Sequence, residues 1–132
     1  MLRIAAPFSE IGSVLHASPG EVWDLLTDTS RWHEWGPSVK AVDCMDRYIL
    51  KGSRGRIKIP LGIWVPFVIT DFEDTRYWSW RIFGIQATGH RIEPLDDVSC
   101  NLFFSVPALG APYLILCWIA IRRIEAMLQH VR

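Results

Sequence analysis

The side chains with obvious chemistry in this 132-residue chain are four histidines, three cysteines and fourteen carboxylates, and their spacing excludes most reactions. There is no His-Glu-x-x-His pair, no Gly-x-Ser-x-Gly elbow and no glycine-rich phosphate or dinucleotide loop. Cys44, Cys100 and Cys117 lack metal-ligand spacing, and their odd number argues against a disulfide framework. We therefore expect reduced cysteines, no metal and no cofactor. Asp71, Glu73 and Asp74 form one acidic cluster and Asp96-Asp97 another. Paired carboxylates can do acid–base work, but turn chemistry and solubility explain these better. Lys51, Arg54, Arg56 and Lys58 form a basic strip, read first as a solvated strand face and second as a site for an acidic headgroup or membrane surface.

His90 is the most informative polar residue. In Thr88-Gly89-His90-Arg91-Ile92-Glu93, Arg91 and Glu93 claim the solvent face. Strand alternation then turns Thr88, His90 and Ile92 inward. A histidine in an apolar pocket can exchange a proton near neutral pH, or it can hold a ligand carbonyl or hydroxyl. The alternative is a core histidine bonded to a backbone carbonyl or a buried water. Trp78 and Trp80 share a face of the preceding strand and should neighbour His90 across the hairpin. Aromatic walls suit flat, apolar ligands, although plain core packing explains them equally. The expected ligand-binding set is Trp78, Trp80, His90, Ile92, Phe67, Phe104, Tyr113 and Leu116, with His90 as the candidate acid–base residue.

These residues need a sheet and a long helix to bring them together. Expected strands run over 9–17, 39–45, 56–59, 63–72, 77–82, 88–93 and 99–106, separated by turn-rich stretches. Pro66 should confine its strand to a sheet edge or a bulge. From about Pro112 a helix fits, with Tyr113, Leu116, Ala120, Ile124, Met127 and Val131 as its core stripe. Leu114, Ile115, Trp118 and Ile119 lie off that stripe, so the helix is apolar nearly all round until Arg122. Such a helix suits a homodimer interface or contact with lipid during ligand loading, or burial under a loop.

The stretch from Val14 to Val42 organises the rest. Ser18-Pro19-Gly20-Glu21 has the form of a capping box with proline at the first helical position. Val22, Trp23, Leu25 and Leu26 give the helix an apolar face, and Asp28-Thr29-Ser30 stops it. A second short helix carries Trp32 and Trp35, and Gly36-Pro37 ends it. Trp23, Trp32 and Trp35 are expected first as packing between the helices and the sheet, with a lid role as the lesser alternative for Trp32. Leu15, Ala17, Pro19, Val22, Trp23, Asp28, Trp35, Pro37 and Val42 resemble the opening pattern of the START-like (SRPBCC) superfamily, especially its polyketide cyclase/dehydrase and lipid-transport members. That resemblance implies an α+β helix-grip fold. A strongly curved antiparallel sheet of about seven strands would wrap around a long C-terminal helix in a single domain, residues 1–132.

Composition agrees with one domain large enough for a core. Half of the residues are hydrophobic, seven are tryptophan, and net charge is zero. No electrostatic footprint for nucleic acid is present. The apolar run 113–121 is too short for the roughly 20 residues that span a bilayer. With no signal peptide visible at the N-terminus, the chain reads as soluble and cytoplasmic, without stable membrane insertion. The leading expectation is binding of a hydrophobic small molecule, such as a lipid, polyketide or isoprenoid, in an internal cavity. A cyclase or dehydratase using His90 is the alternative the resemblance implies. An interaction module with a filled core is the third reading.

Overall fold

The computed structural model describes residues 2–5 and 8–131. Its eight strands are β1 (Leu2–Ala5), β2 (Phe8–Leu15), β3 (Ala41–Cys44), β4 (Arg54–Lys58), β5 (Trp64–Glu73), β6 (Tyr77–Ile82), β7 (Ile85–Asp96) and β8 (Ser99–Pro107). They form one antiparallel sheet in the order β1-β2-β8-β7-β6-β5-β4-β3. The helices are α1 (Pro19–Thr27), α2 (Trp32–Trp35) and α3 (Leu114–Val131). This is the helix-grip arrangement, a curved open sheet closed by a C-terminal helix. Beyond the expected strands it has the short N-terminal β1, paired with β2 at the sheet edge.

The opening block folds as its residue types require. Ser18 caps α1: its hydroxyl accepts from the Glu21 backbone N–H at 3.2 Å, and Glu21 accepts from the Ser18 N–H at 3.2 Å. Asp28 ends α1 and caps the following 3-10 turn (Thr29–Arg31), accepting from the Ser30 N–H at 3.0 Å. Its carboxylate also receives the Arg47 guanidinium at 3.1 Å. Desolvation pushes the Asp28 pKa up, but the Arg47 and Ser30 hydrogen bonds outweigh it, and the carboxyl stays below its ordinary range. Trp32 is fully buried rather than a lid. Its indole N–H donates to the Leu26 carbonyl at 2.9 Å, and Trp35 donates likewise to Leu25 at 3.0 Å.

Two expectations about the sheet and α3 are corrected. Pro66 lies in β5, between β4 and β6 rather than at an edge. The β5–β6 ladder starts one residue later, at Phe67↔Ile82, so the missing N–H falls at the end of the ladder. In α3 the buried stripe is Leu114, Cys117, Ile121, Ile124 and Leu128, with Ala120 beside it. It begins one residue later than expected and leaves Tyr113 and Leu116 at one margin. Met127 is partly buried; the Val131 side chain lies outside the described residues.

Because β3 to β8 form a meander, its turns alternate between two ends. The β4–β5 turn (59–63), the β6–β7 turn (83–84) and the link from β8 into α3 (108–113) share one end. The β5–β6 turn (74–76) and the β7–β8 turn (97–98) share the other.

Candidate functional site

The first of these ends holds a pocket between the sheet and α3, with a volume of about 60 Å³. Trp78, Trp80 and His90 form its floor, Phe104 one wall, and Tyr113 and Leu116 its helical side. The loop from Gly36 to Val39, between α2 and β3, forms the opposite lip. Phe67 and Ile92 do not line it. Phe67 packs behind, with ring centroids 5.5 Å from both Trp32 and Trp80, and Ile92 is core further along β7.

The floor is an aromatic stack. Trp78 pairs with His90 in register between β6 and β7, with ring centroids 3.9 Å apart and planes 23° from parallel. Trp32 stacks on Trp78 at 5.4 Å, and Trp80 meets both tryptophans edge-on. A bulge in the β6–β7 register between Ser79 and Arg81 keeps Trp78, Ser79 and Trp80 all buried. Ser79 is held by donating to the Asp71 carboxylate at 2.6 Å. That bond, and Asp74 accepting from the Trp23 indole at 3.1 Å, give two members of the acidic cluster structural roles.

Hydrogen bonding fixes the protonation of His90. Its Nδ1 lies 3.2 Å from the Trp78 carbonyl oxygen, which can only accept, so Nδ1 carries the proton. Its Nε2 lies 3.4 Å from Thr88 Oγ1, which itself accepts from the Trp80 indole N–H at 2.8 Å. The consistent chain runs Trp80 N–H to Thr88 O–H to His90 Nε2, and His90 Nδ1–H to the Trp78 carbonyl. Burial penalises the imidazolium and lowers the His90 pKa to about 3, against a smaller opposing pull from the Trp78 carbonyl. The imidazole is therefore neutral at pH 7, with both nitrogens engaged. The Trp78 indole N–H, by contrast, is buried without a hydrogen-bond partner.

Across the mouth, the Ser38 and Tyr113 hydroxyls share a short hydrogen bond that ties the α2–β3 loop to the start of α3. Sequence reasoning did not select Ser38, Thr88 or Trp35 as pocket residues. Thr88 was legible from its shared face with His90. The loop residues gave no signal, because alternation says nothing outside a strand. Among the described residues no group of three or more His, Cys, Asp or Glu could hold a metal ion. Cys117, at the pocket margin, is an inert thiol with its pKa pushed up by burial to about 12.

Comparison with known families agrees with this architecture. The model of the polyketide cyclase/dehydrase and lipid transport family matches residues 12–132. The chain belongs to this family. Among solved structures, the Zhui aromatase/cyclase of a Streptomyces species superposes with a TM-score of 0.72 at 13% identity, covering 100% of this chain and 97% of that one. The XoxI protein of Bacillus cereus gives 0.73 at 12% identity, covering 95% and 97%. A START superfamily protein of Mycobacterium smegmatis gives 0.69 at 13% identity, covering 96% and 100%. At these identities the likeness is one of fold, and a fold shared across the family hosts more than one function. Comparison with curated proteins gives no match.

Proposed function

We propose that the protein binds a hydrophobic small molecule in the pocket between the sheet and α3. The observation that carries this reading is a hollow with aromatic walls at the open end of the sheet, in a molecule whose fold family includes lipid carriers and cyclases. Its volume of about 60 Å³ limits the occupant. A cavity of ~150 Å³ takes up one benzene, so a lipid tail or ring enters only as the mouth widens. The Ser38–Tyr113 hydrogen bond is the contact that must yield. The Trp78 N–H favours a ligand that brings an acceptor such as a carbonyl.

Cyclase-type catalysis is the second reading, and the Zhui aromatase/cyclase likeness is what favours it. It requires a base poised near the working pH. With a pKa near 3 and both nitrogens engaged, His90 is a weak base, so binding is the better-supported reading.

Native mass spectrometry of the purified protein, with a panel of lipids and aromatic ketones, tests the proposal. The expected result is one bound molecule per chain, lost in a Leu116→Trp variant that fills the helical side of the pocket. Unchanged binding in that variant would remove the pocket from the reading.

A further inference from the structure

Around the pocket mouth the surface is apolar, and its charged side chains are mostly basic. The stretches that reach that end, 35–42, 54–67, 81–90 and 102–124, contain no aspartate or glutamate. Asp43, just beyond the first of them, is exposed and pairs with Arg56 at 3.0 Å. Other carboxylates gather away from it, at Glu73-Asp74 and Asp96-Asp97 in the opposite turns and at Glu21 and Asp24 on α1.

Large side chains project from the turns at the mouth end. Leu61 is 83% exposed at the tip of the β4–β5 turn, with Ile63 and Trp64 exposed beside it. Phe83 is 64% exposed and Ile85 70% exposed at the β6–β7 turn. The two turns are neighbours: the Phe83 N–H donates to the Pro66 carbonyl at 3.1 Å, two residues from Trp64. On α3, Ile115 is 71% exposed and Trp118 lies one turn further along the same face. Cations frame these residues. The Arg56 guanidinium lies 4.8 Å from the Trp64 ring centre and pairs with Asp43, that of Arg122 lies 5.8 Å from Trp118 and pairs with Glu125, and Lys40 and Arg81 are exposed nearby.

The backbone at Phe83 gives an independent indication. Phe83 has φ 55° and Gly84 φ 73°, a two-residue hairpin turn of the kind that favours Asn-Gly. A phenylalanine in the left-handed region is strained, and strain of this kind clusters at functional positions. Here it holds an aromatic ring in solvent at the tip of a hairpin.

We propose that this end of the molecule is a peripheral docking surface for an anionic lipid bilayer, with Leu61 and Phe83 inserting at the headgroup level. Aromatic and apolar tips flanked by Lys and Arg match the chemistry of the membrane interface, and a face on which Lys40, Arg56, Arg81 and Arg122 outnumber Asp43 and Glu125 matches an anionic surface. No described helix is long and apolar enough to cross a membrane, so the contact is superficial. The pocket mouth would then open toward the bilayer. The surface stands apart from the identity of any pocket ligand, so vesicle binding is measured without one.

The test is sedimentation with phosphatidylcholine vesicles, with and without phosphatidylglycerol. The chain should bind the anionic vesicles, lose affinity as salt rises from about 0.05 to about 0.5 M, and bind neutral vesicles at least about tenfold more weakly. Leu61→Asp/Phe83→Asp should weaken binding to anionic vesicles by about tenfold or more. Leu95→Asp/Val98→Asp at the opposite end should leave it unchanged. Brominated lipid should quench the tryptophan fluorescence, and quench it less in Trp64→Phe, a readout that does not depend on the charge variants folding. Absence of binding to anionic vesicles would overturn the proposal, as would equal loss in both double variants. So would a self-associating chain that Leu61→Asp/Phe83→Asp makes monomeric without any vesicle binding by wild type, which would assign the face to a second copy.

Discussion

His90 and Trp78 are stacked cross-strand partners that also share a hydrogen bond, with ring centroids 3.9 Å apart and His90 Nδ1 3.2 Å from the Trp78 carbonyl oxygen. The imidazole is held neutral by this enclosure, and that has a consequence for stability. Its pKa is near 6.5 in the unfolded chain and about 3 in the fold. Above pH 6.5 it is neutral in both states and contributes no pH dependence. Below that, the unfolded chain takes up a proton that the folded chain refuses. Stability from this group therefore falls by about 1.4 kcal/mol per pH unit as pH drops from 6.5 toward 3. Urea denaturation of wild type and His90→Phe at pH 7, 6 and 5 checks this. Phe lacks the titration, so the wild-type advantage should shrink as pH falls. A constant difference would mean that His90 is not buried as described.

Trp78 and Trp80 offer a paired comparison. Trp80 donates to Thr88 Oγ1, whereas the Trp78 N–H has no partner. Both are buried, so replacement by phenylalanine removes similar apolar area. Trp80→Phe also breaks the hydrogen-bond chain to His90, worth about 1 kcal/mol. Trp78→Phe removes an unsatisfied donor whose burial costs about 1–3 kcal/mol. Trp78→Phe should therefore be the milder change by at least about 1 kcal/mol in denaturant titration. Equal losses would mean that a buried water completes the Trp78 bond.

The opening block was readable because its devices are local. Ser18 and Glu21 are three residues apart, and capping needs nothing else. Period-two alternation likewise placed Thr88, His90 and Ile92 on one buried face. What failed was long-range. Nothing near Pro66 says that strands will flank it on both sides, so of the edge and bulge alternatives the edge fails; the irregularity in β5 falls further on, between Ile69 and Asp71. The apolar start of α3 carries no polar residue to mark its phase, so the buried stripe was read one residue early. Packing is the leading expectation for Trp32 and the structure agrees, but its anchor, the Leu26 carbonyl in the preceding helix, was not legible. The pocket residues depend on two elements meeting. The strand side was legible, while Ser38 gained its place only from Tyr113, 75 residues on.

Asp28 separates capping from charge. Its carboxylate caps the 3-10 turn and also pairs with Arg47, whose guanidinium is largely exposed and so screened. Asp28→Asn keeps an acceptor for the Ser30 N–H while removing the charge and the Oδ2 that accepts from Arg47, and because Arg47 is largely exposed it should cost under about 1 kcal/mol. Asp28→Ala leaves the Ser30 N–H and hydroxyl without their acceptor beside a packed helix end, and should cost about 2 kcal/mol. Thermal melts of the two variants decide it. An equal cost would assign the stabilisation to the ion pair instead of the cap.

The Ser38–Tyr113 hydrogen bond joins the two sides of the pocket mouth, and Tyr113 is otherwise partly exposed. Removing the bond at an exposed site should cost stability little, under about 1 kcal/mol. Its effect on access is the larger one, because it links a loop with no other described tie to the start of α3. In Tyr113→Phe the ring stays while the hydroxyl goes, so the pocket walls are kept and only the link is lost. A hydrophobic fluorescent dye that enters the pocket should associate several-fold faster with Tyr113→Phe and with Ser38→Ala than with wild type. The double variant should match either single variant, since both remove one bond. Stopped-flow mixing measures this directly. Additive acceleration in the double variant would show that the two hydroxyls act separately, and unchanged rates would show that the dye enters by a route that does not pass between them.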